Sequence, residues 1–132
     1  MAVGRRAQLQ VFSGDWPTPD GTGVRVYIQM MDLVEGHRAA LDCLLAEAPQ
    51  LLTLNLGSGQ GHSVLEVVQA MEAASGCSIP HTITDRRPGD AAISVADPTK
   101  AAERLGWRTQ RGLEDICRDG WAWQQQNPDG YA

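Results

Sequence analysis

Lysine is all but missing from this chain. Lys100 stands alone against ten arginines. Only two tyrosines exist, Tyr27 and Tyr131, and neither is followed by that lysine at the spacing of a Tyr-x-x-x-Lys pair. The three histidines (His37, His62, His81) do not cluster with the three cysteines (Cys43, Cys77, Cys117). No pair among them has metal-ligand spacing, which argues against a metal centre. Cysteines that are few, odd in number and far apart read as reduced, partly buried thiols of a cytoplasmic protein. A basic excess is missing too. The formal charge is −5, whereas nucleic-acid-binding domains usually carry positive charge to displace counterions, so nucleic acid is excluded as a partner. No stretch approaches the roughly 18 apolar residues of a membrane span, and MAVGRRAQLQ has charge but no apolar export core. Neither a nucleophile elbow nor a convincing general base can be named.

What is present is one domain's worth of ordinary globular composition, spanning residues 1–132. The chain is 42% hydrophobic and 20% charged, with 14 Gly and 7 Pro. That excludes disordered, collagen-like and disulfide-scaffold classes, and the length is short for a two-domain enzyme. Arginine's planar fork matches phosphate and carboxylate, so its excess invites a search for a phosphate site, although GC-rich coding produces the same skew.

LQVF (9–12) reads as a strand, followed by the turn-rich SGDWPTPDGTG. Residues 24–30 alternate: Val24, Val26, Ile28 and Met30 share one face, and Arg25, Tyr27 and Gln29 share the other. Asp32 with Glu35 predicts a capping box for a helix whose stripe is Leu33, Val34, His37, Leu41, Leu44, Leu45 and Ala48, stopped by Pro49. LLTLNL (51–56) predicts a strand, then GSGQG turns into a helix capped by Ser63 with Glu66 and stopped by Gly76. IPHTIT (79–84) predicts another strand, with DRRPGD as a charged loop after it. Asp97-Pro98 opens a helix ending at Gly106, and a last helix runs from Leu113 to near Asn127-Pro128. The order β, β, α, β, α, β, α, α predicts an α/β fold.

Two local patterns invite chemistry. Gly57, Gly59 and Gly61 after an apolar run resemble a dinucleotide fingerprint, but the third glycine of G-x-G-x-x-G falls on His62. A tight turn is the preferred reading there. In DRRPGD, an Arg could grip phosphate and a carboxylate could accept from sugar hydroxyls, while a solvated loop of self-paired charges fits the same residues. Arg25 could be a second phosphate arm.

FSGDWPTPDGTGVRVYIQMMDLVEGH, NLGSGQGHSVLEVV, RRPGD and LGW…WAWQQQNPDGY together resemble the C-terminal portion of the UDP-glucose 4-epimerase (UDP-galactose 4-epimerase) family. These enzymes belong to the extended short-chain dehydrogenase/reductase superfamily, and the resemblance covers essentially the whole chain. It implies a small mixed sheet with about four helices, the substrate-binding C-terminal part of such an enzyme, without the Rossmann domain. Full-length members bind NAD and place their catalytic Tyr and Lys in that N-terminal domain. The resemblance therefore implies no catalytic residue and no NAD site in this chain alone. It further implies that Gln10, Val11 and Phe12 contact uracil, that Arg25 and Arg87 reach the diphosphate, and that Asp90 reaches a ribose hydroxyl. Three positions depart from the family pattern: Val26 replaces Asp, Gln29 replaces His, and Ser94 replaces Tyr. The activity implied is interconversion of UDP-glucose and UDP-galactose, with this chain holding UDP and inactive alone. A separately encoded NAD-binding half is the implied partner. A truncated, non-catalytic remnant or a weak UDP/UDP-sugar-binding module is the alternative.

Overall fold

The apolar runs at 9–12 and 79–84 pair with each other. In the structure, a computed structural model describing Ala2 and residues 6–131, β1 (Leu9–Phe12) runs parallel to β4 (His81–Thr84), with Phe12 opposite Thr84. Met1, residues 3–5 and Ala132 lie outside the described residues, including part of the opening segment read above for export signals. A second sheet has the order β3-β2-β5, built from β2 (Val24–Val26), β3 (Gly61–Ser63) and β5 (Ile93–Ser94). Its β2–β3 pair is antiparallel and its β2–β5 pair is parallel. The expected mixed pairing is therefore divided between two small sheets. Four helices complete the described residues: α1 (Met30–Ala46), α2 (Val64–Ser75), α3 (Thr99–Leu105) and α4 (Leu113–Gln126).

Helix α2 forms as its sequence dictates. The Ser63 hydroxyl accepts from the Glu66 N–H at 3.0 Å, while the Glu66 carboxylate accepts from the Ser63 N–H at 2.7 Å. This reciprocal cap satisfies two donors the helix would otherwise leave open. Gly76 ends the helix in the left-handed region, φ 67°. α2 packs against α4, and the core gathers Val11, Val68, Ile79, Ala101, Trp107 and Cys117.

Five expectations fail. LLTLNL is no strand, because no described strand pairs with it. Its side chains still alternate, with Leu52, Leu54 and Leu56 half-buried and Leu51, Thr53 and Asn55 exposed. The third strand instead forms ten residues later, at Gly61–Ser63.

The run 24–30 is a strand only to Val26, because α1 begins at Met30. Asp32 is not its cap. Gln29 caps α1, accepting from the Met31 N–H and donating to Asp119 Oδ2 at 3.0 Å. Asp32 lies fully buried in the first turn and accepts the Gln110 and Arg111 N–H groups at 3.1 and 3.0 Å. Its carboxylate also pairs with Arg111, which binds Glu35 at 3.1 Å. The two acids spaced three apart therefore serve a distant arginine rather than a helix end.

The predicted stripe of α1 faces outward. Val34, His37, Leu41, Leu44 and Leu45 are exposed, and the buried positions of the helix are Asp32 and Gly36. At α3, Pro98 is the cap rather than the first helical residue, although Asp97 Oδ1 still accepts the Thr99 N–H at 2.9 Å.

Candidate functional site: a cavity between the two sheets

The parallel register of β1 and β4 carries the chain from Thr84 directly into the arginine loop, beside the end of β1. Arg87 lies over the Phe12 ring, 4.4 Å from its centroid, and its Nε donates to Asp90 Oδ2 at 3.0 Å. From the other sheet, β2 presents Arg25 between His62 and Ser94. The Arg25 guanidinium folds back to donate to the Val24 carbonyl at 2.8 Å and passes close over Gly23. A methyl group added at Gly23 would stand 3.3 Å from Arg25 Nη1, so glycine there leaves space for the cation.

These pieces enclose a cavity of about 210 Å³ lined by Gln10, Val11, Phe12, Arg25, Arg87 and Asp90. All six residues nominated from the sequence thus border one space. Trp16, Gly23, Tyr27 and Val64 border it as well. Burial pushes the Tyr27 hydroxyl upward in pKa, against the pull of the Arg25 charge. Chemically, the cavity offers two forked cations, one carboxylate and aromatic surface. That combination can hold a phosphorylated ligand with a planar group and hydroxyls.

Trp16 and Gly23 were not nominated from the sequence. The available signal was a tryptophan four residues beyond Phe12, in a loop dense in Pro and Gly within an aromatic-poor chain. The departure residues take structural places: Gln29 as a buried cap, Val26 in β2, and Ser94 in register with Arg25.

The glycine turn does not fit a dinucleotide. Methyl groups added at Gly61 would stand 2.6 Å from Val24 Cγ1 and 2.7 Å from Val95 Cγ2, and at Gly59 3.1 Å from Pro98 Cδ. The space those glycines leave open is filled by the chain's own apolar side chains, not held free for a pyrophosphate. The turn is a tight one, with Gly59 at φ 73°, as the preferred reading had it. Among the described residues, no group of His, Cys, Asp or Glu is placed to hold a metal ion, and no helix is long and apolar enough to cross a membrane.

Comparison with known proteins agrees with the sequence resemblance. UDP-glucose 4-epimerase of Drosophila melanogaster is 52% identical over 134 aligned residues, covering 100% of this chain and 38% of that protein. The Mus musculus enzyme is also 52% identical, over 99% of this chain and 38% of its own length. The crystal structure of the Bifidobacterium longum UDP-glucose 4-epimerase in complex with NAD+ and UDP superposes with a TM-score of 0.93 at 45% identity. That match covers 98% of this chain and 38% of the other. The chain therefore spans well under half the length of the relatives it matches. The GDP-mannose 4,6 dehydratase family model matches residues 1–120. By that match the chain belongs to the GDP-mannose 4,6 dehydratase family, as a part-length relative of the UDP-glucose 4-epimerases.

Proposed function

We propose that this chain is the UDP-holding part of a UDP-glucose 4-epimerase, forming a single domain over residues 1–132, with no epimerase activity by itself. The observation that carries the reading is the convergence of Gln10, Val11, Phe12, Arg25, Arg87 and Asp90 on one cavity. In this assignment β1 and Phe12 meet the uracil, Arg25 and Arg87 take the diphosphate, and Asp90 accepts from a ribose hydroxyl. Guanidinium forks suit a diphosphate because charge-assisted hydrogen bonds are roughly twice as strong as neutral ones. The Arg87–Asp90 pair and the Arg25 contact to its own backbone must open for this, so ligand binding exchanges internal contacts for external ones. The hydride chemistry of the family resides outside these residues. Its NAD-binding half, separately encoded, is the partner, and both work in the cytoplasm. The apolar face that α1 leaves uncovered supports a missing neighbour of that kind.

Calorimetry with UDP up to millimolar concentration tests the reading. Measurable binding is expected, weakened by about 1.5–3 kcal/mol in Arg87→Ala, the usual worth of a hydrogen bond to a charged group. Absence of heat from a chain shown to be folded would remove the proposal. Supplied with NAD and UDP-galactose, the chain alone should yield no UDP-glucose, and turnover would contradict the assignment of catalysis to another half.

A further inference from the structure

Trp16 and Tyr27 are cavity-lining aromatics that the assignment above leaves without a role, and Trp16 is the one whose ring already carries a cation on one face. It sits in the loop between β1 and β2, and that loop is unusually well fastened. The Trp16 N–H donates to the Gly21 carbonyl at 2.9 Å, and the Trp16 carbonyl accepts from the Thr18 N–H at 2.8 Å. Asp20 receives the Thr22 N–H and hydroxyl at 2.9 and 2.7 Å and reaches across to the Ser63 hydroxyl at the start of α2. Gly21 closes the turn at φ 79°, where an added methyl group would stand 2.1 Å from the Gly14 carbonyl oxygen. On the other flank, Arg86 donates to the Asp15 carboxylate and to the Asp15 carbonyl, both at 2.8 Å. Its guanidinium carbon lies 3.8 Å from the centre of the Trp16 ring.

The indole is thus held from the backbone side by a hydrogen-bonded turn. One of its faces is covered by a cation that is itself pinned. What remains of its half-buried surface borders the same cavity as Phe12. A ring fixed in this way loses little conformational freedom when a planar group stacks on it, which favours binding. Packing Arg86 does not account for Trp16 also bordering the cavity.

We propose that Trp16 is a base-contacting residue, an aromatic wall against which the pyrimidine ring of the ligand stacks, with Arg86 as the positioning residue behind it. This inference rests on the UDP reading of the cavity. It goes beyond that reading by assigning the base a second aromatic contact, separate from Phe12, and by giving the first arginine of the loop a task different from that of the second.

The test uses the full chain with UDP, UMP and inorganic pyrophosphate. Trp16→Ala should weaken UDP and UMP about tenfold, in the range expected for losing one base–aromatic stack, and leave pyrophosphate unchanged. Trp16→Phe should recover most of the affinity. A measurement on the unsubstituted side chain keeps the proposal open to refutation if the alanine variant fails to fold. With 5-fluorotryptophan incorporated, the Trp16 fluorine resonance, assigned by its absence in Trp16→Phe, should shift with UMP and UDP but not with pyrophosphate. Equal UDP affinity in both variants, or a Trp16 resonance that stays fixed while UDP binds, overturns the role of Trp16 and leaves the cavity assignment standing. No binding of UDP or pyrophosphate to the folded chain overturns both.

Discussion

Asp32 shows how much one buried charge can decide. Its carboxylate is removed from solvent yet has every oxygen engaged, by two backbone N–H groups and by Arg111. It thereby joins the first turn of α1 to the segment leading into α4. Desolvating a carboxylate is costly, and only this density of partners makes it tolerable. Replacing it by alanine strands two backbone donors and part of a cation. Breaking such a buried pair typically costs about 3–5 kcal/mol, and the lower end applies because Glu35 still holds Arg111. By contrast, Arg38 and Asp42 pair at 3.7 Å with both side chains mostly exposed, and Asp42→Ala should change stability by less than about 0.5 kcal/mol. Urea denaturation of the two variants side by side measures the difference. Equal effects would mean that Asp32 is not the anchor described.

At the scale of elements, Ser63 is where local and long-range demands coincide. Its hydroxyl accepts from Glu66 to cap α2 and donates to Asp20 to hold the Trp16 loop. Burial alone pushes the Asp20 carboxyl upward, but the hydrogen bonds from Ser63 and Thr22 outweigh it and hold it below the usual 3.8. A carboxyl lowered in the fold adds stability above its unfolded value and loses it as pH falls through the folded one, because the unfolded chain takes up the proton first. Ser63→Ala should therefore cost about 1 kcal/mol at neutral pH for the cap, with a further penalty for the loop. It should also shrink the difference between wild type and variant as the pH drops below about 4. Thermal melts from pH 7 to pH 3 follow both effects, and a gap that widens in acid would contradict the Asp20 link.

The same element shows why some of the fold was legible in sequence. The Ser63–Glu66 cap, the glycine stops at Gly76 and Gly106, and strands β1 and β4 depend on residues a few positions apart, so spacing reveals them. The role of Asp32 depends on Arg111, far along the chain, and two acids three apart look the same whichever partner they serve. β5, two residues long, carries no periodicity to detect. Of the cavity, the charged and β1 residues were accessible through family resemblance. Trp16 was not, because its place is set by a turn closing between Gly14 and Gly21 and by a cation arriving from another loop.

For the whole molecule, the decisive fact is where the apolar surface ends up. Of the stripe read for α1, Leu41 is 56% exposed and Leu45 77%; Met30, at the start of the helix, is 68% exposed, and Leu51, after it, 95%. Met30, Val34, Leu41 and Leu45 fall on one side of the helix, spaced by four or seven residues, so they form a stripe rather than scattered exceptions. A monomer gains nothing from this arrangement. The proposed NAD-binding half would cover this face, and the chain spans 38% of its relatives' length. Alone, the chain is therefore expected to associate as its concentration rises and to bind a hydrophobic dye. Leu41→Glu with Leu45→Glu should suppress both. Since the two side chains are already exposed, the thermal midpoint should stay nearly constant, as for ordinary surface changes of within about 0.5 kcal/mol. Sedimentation velocity across a concentration series reads the association directly. A wild-type chain that stays monomeric and dye-silent at high concentration would show that α1 is an ordinary surface, and the argument for a docked NAD-binding half would lose its structural support.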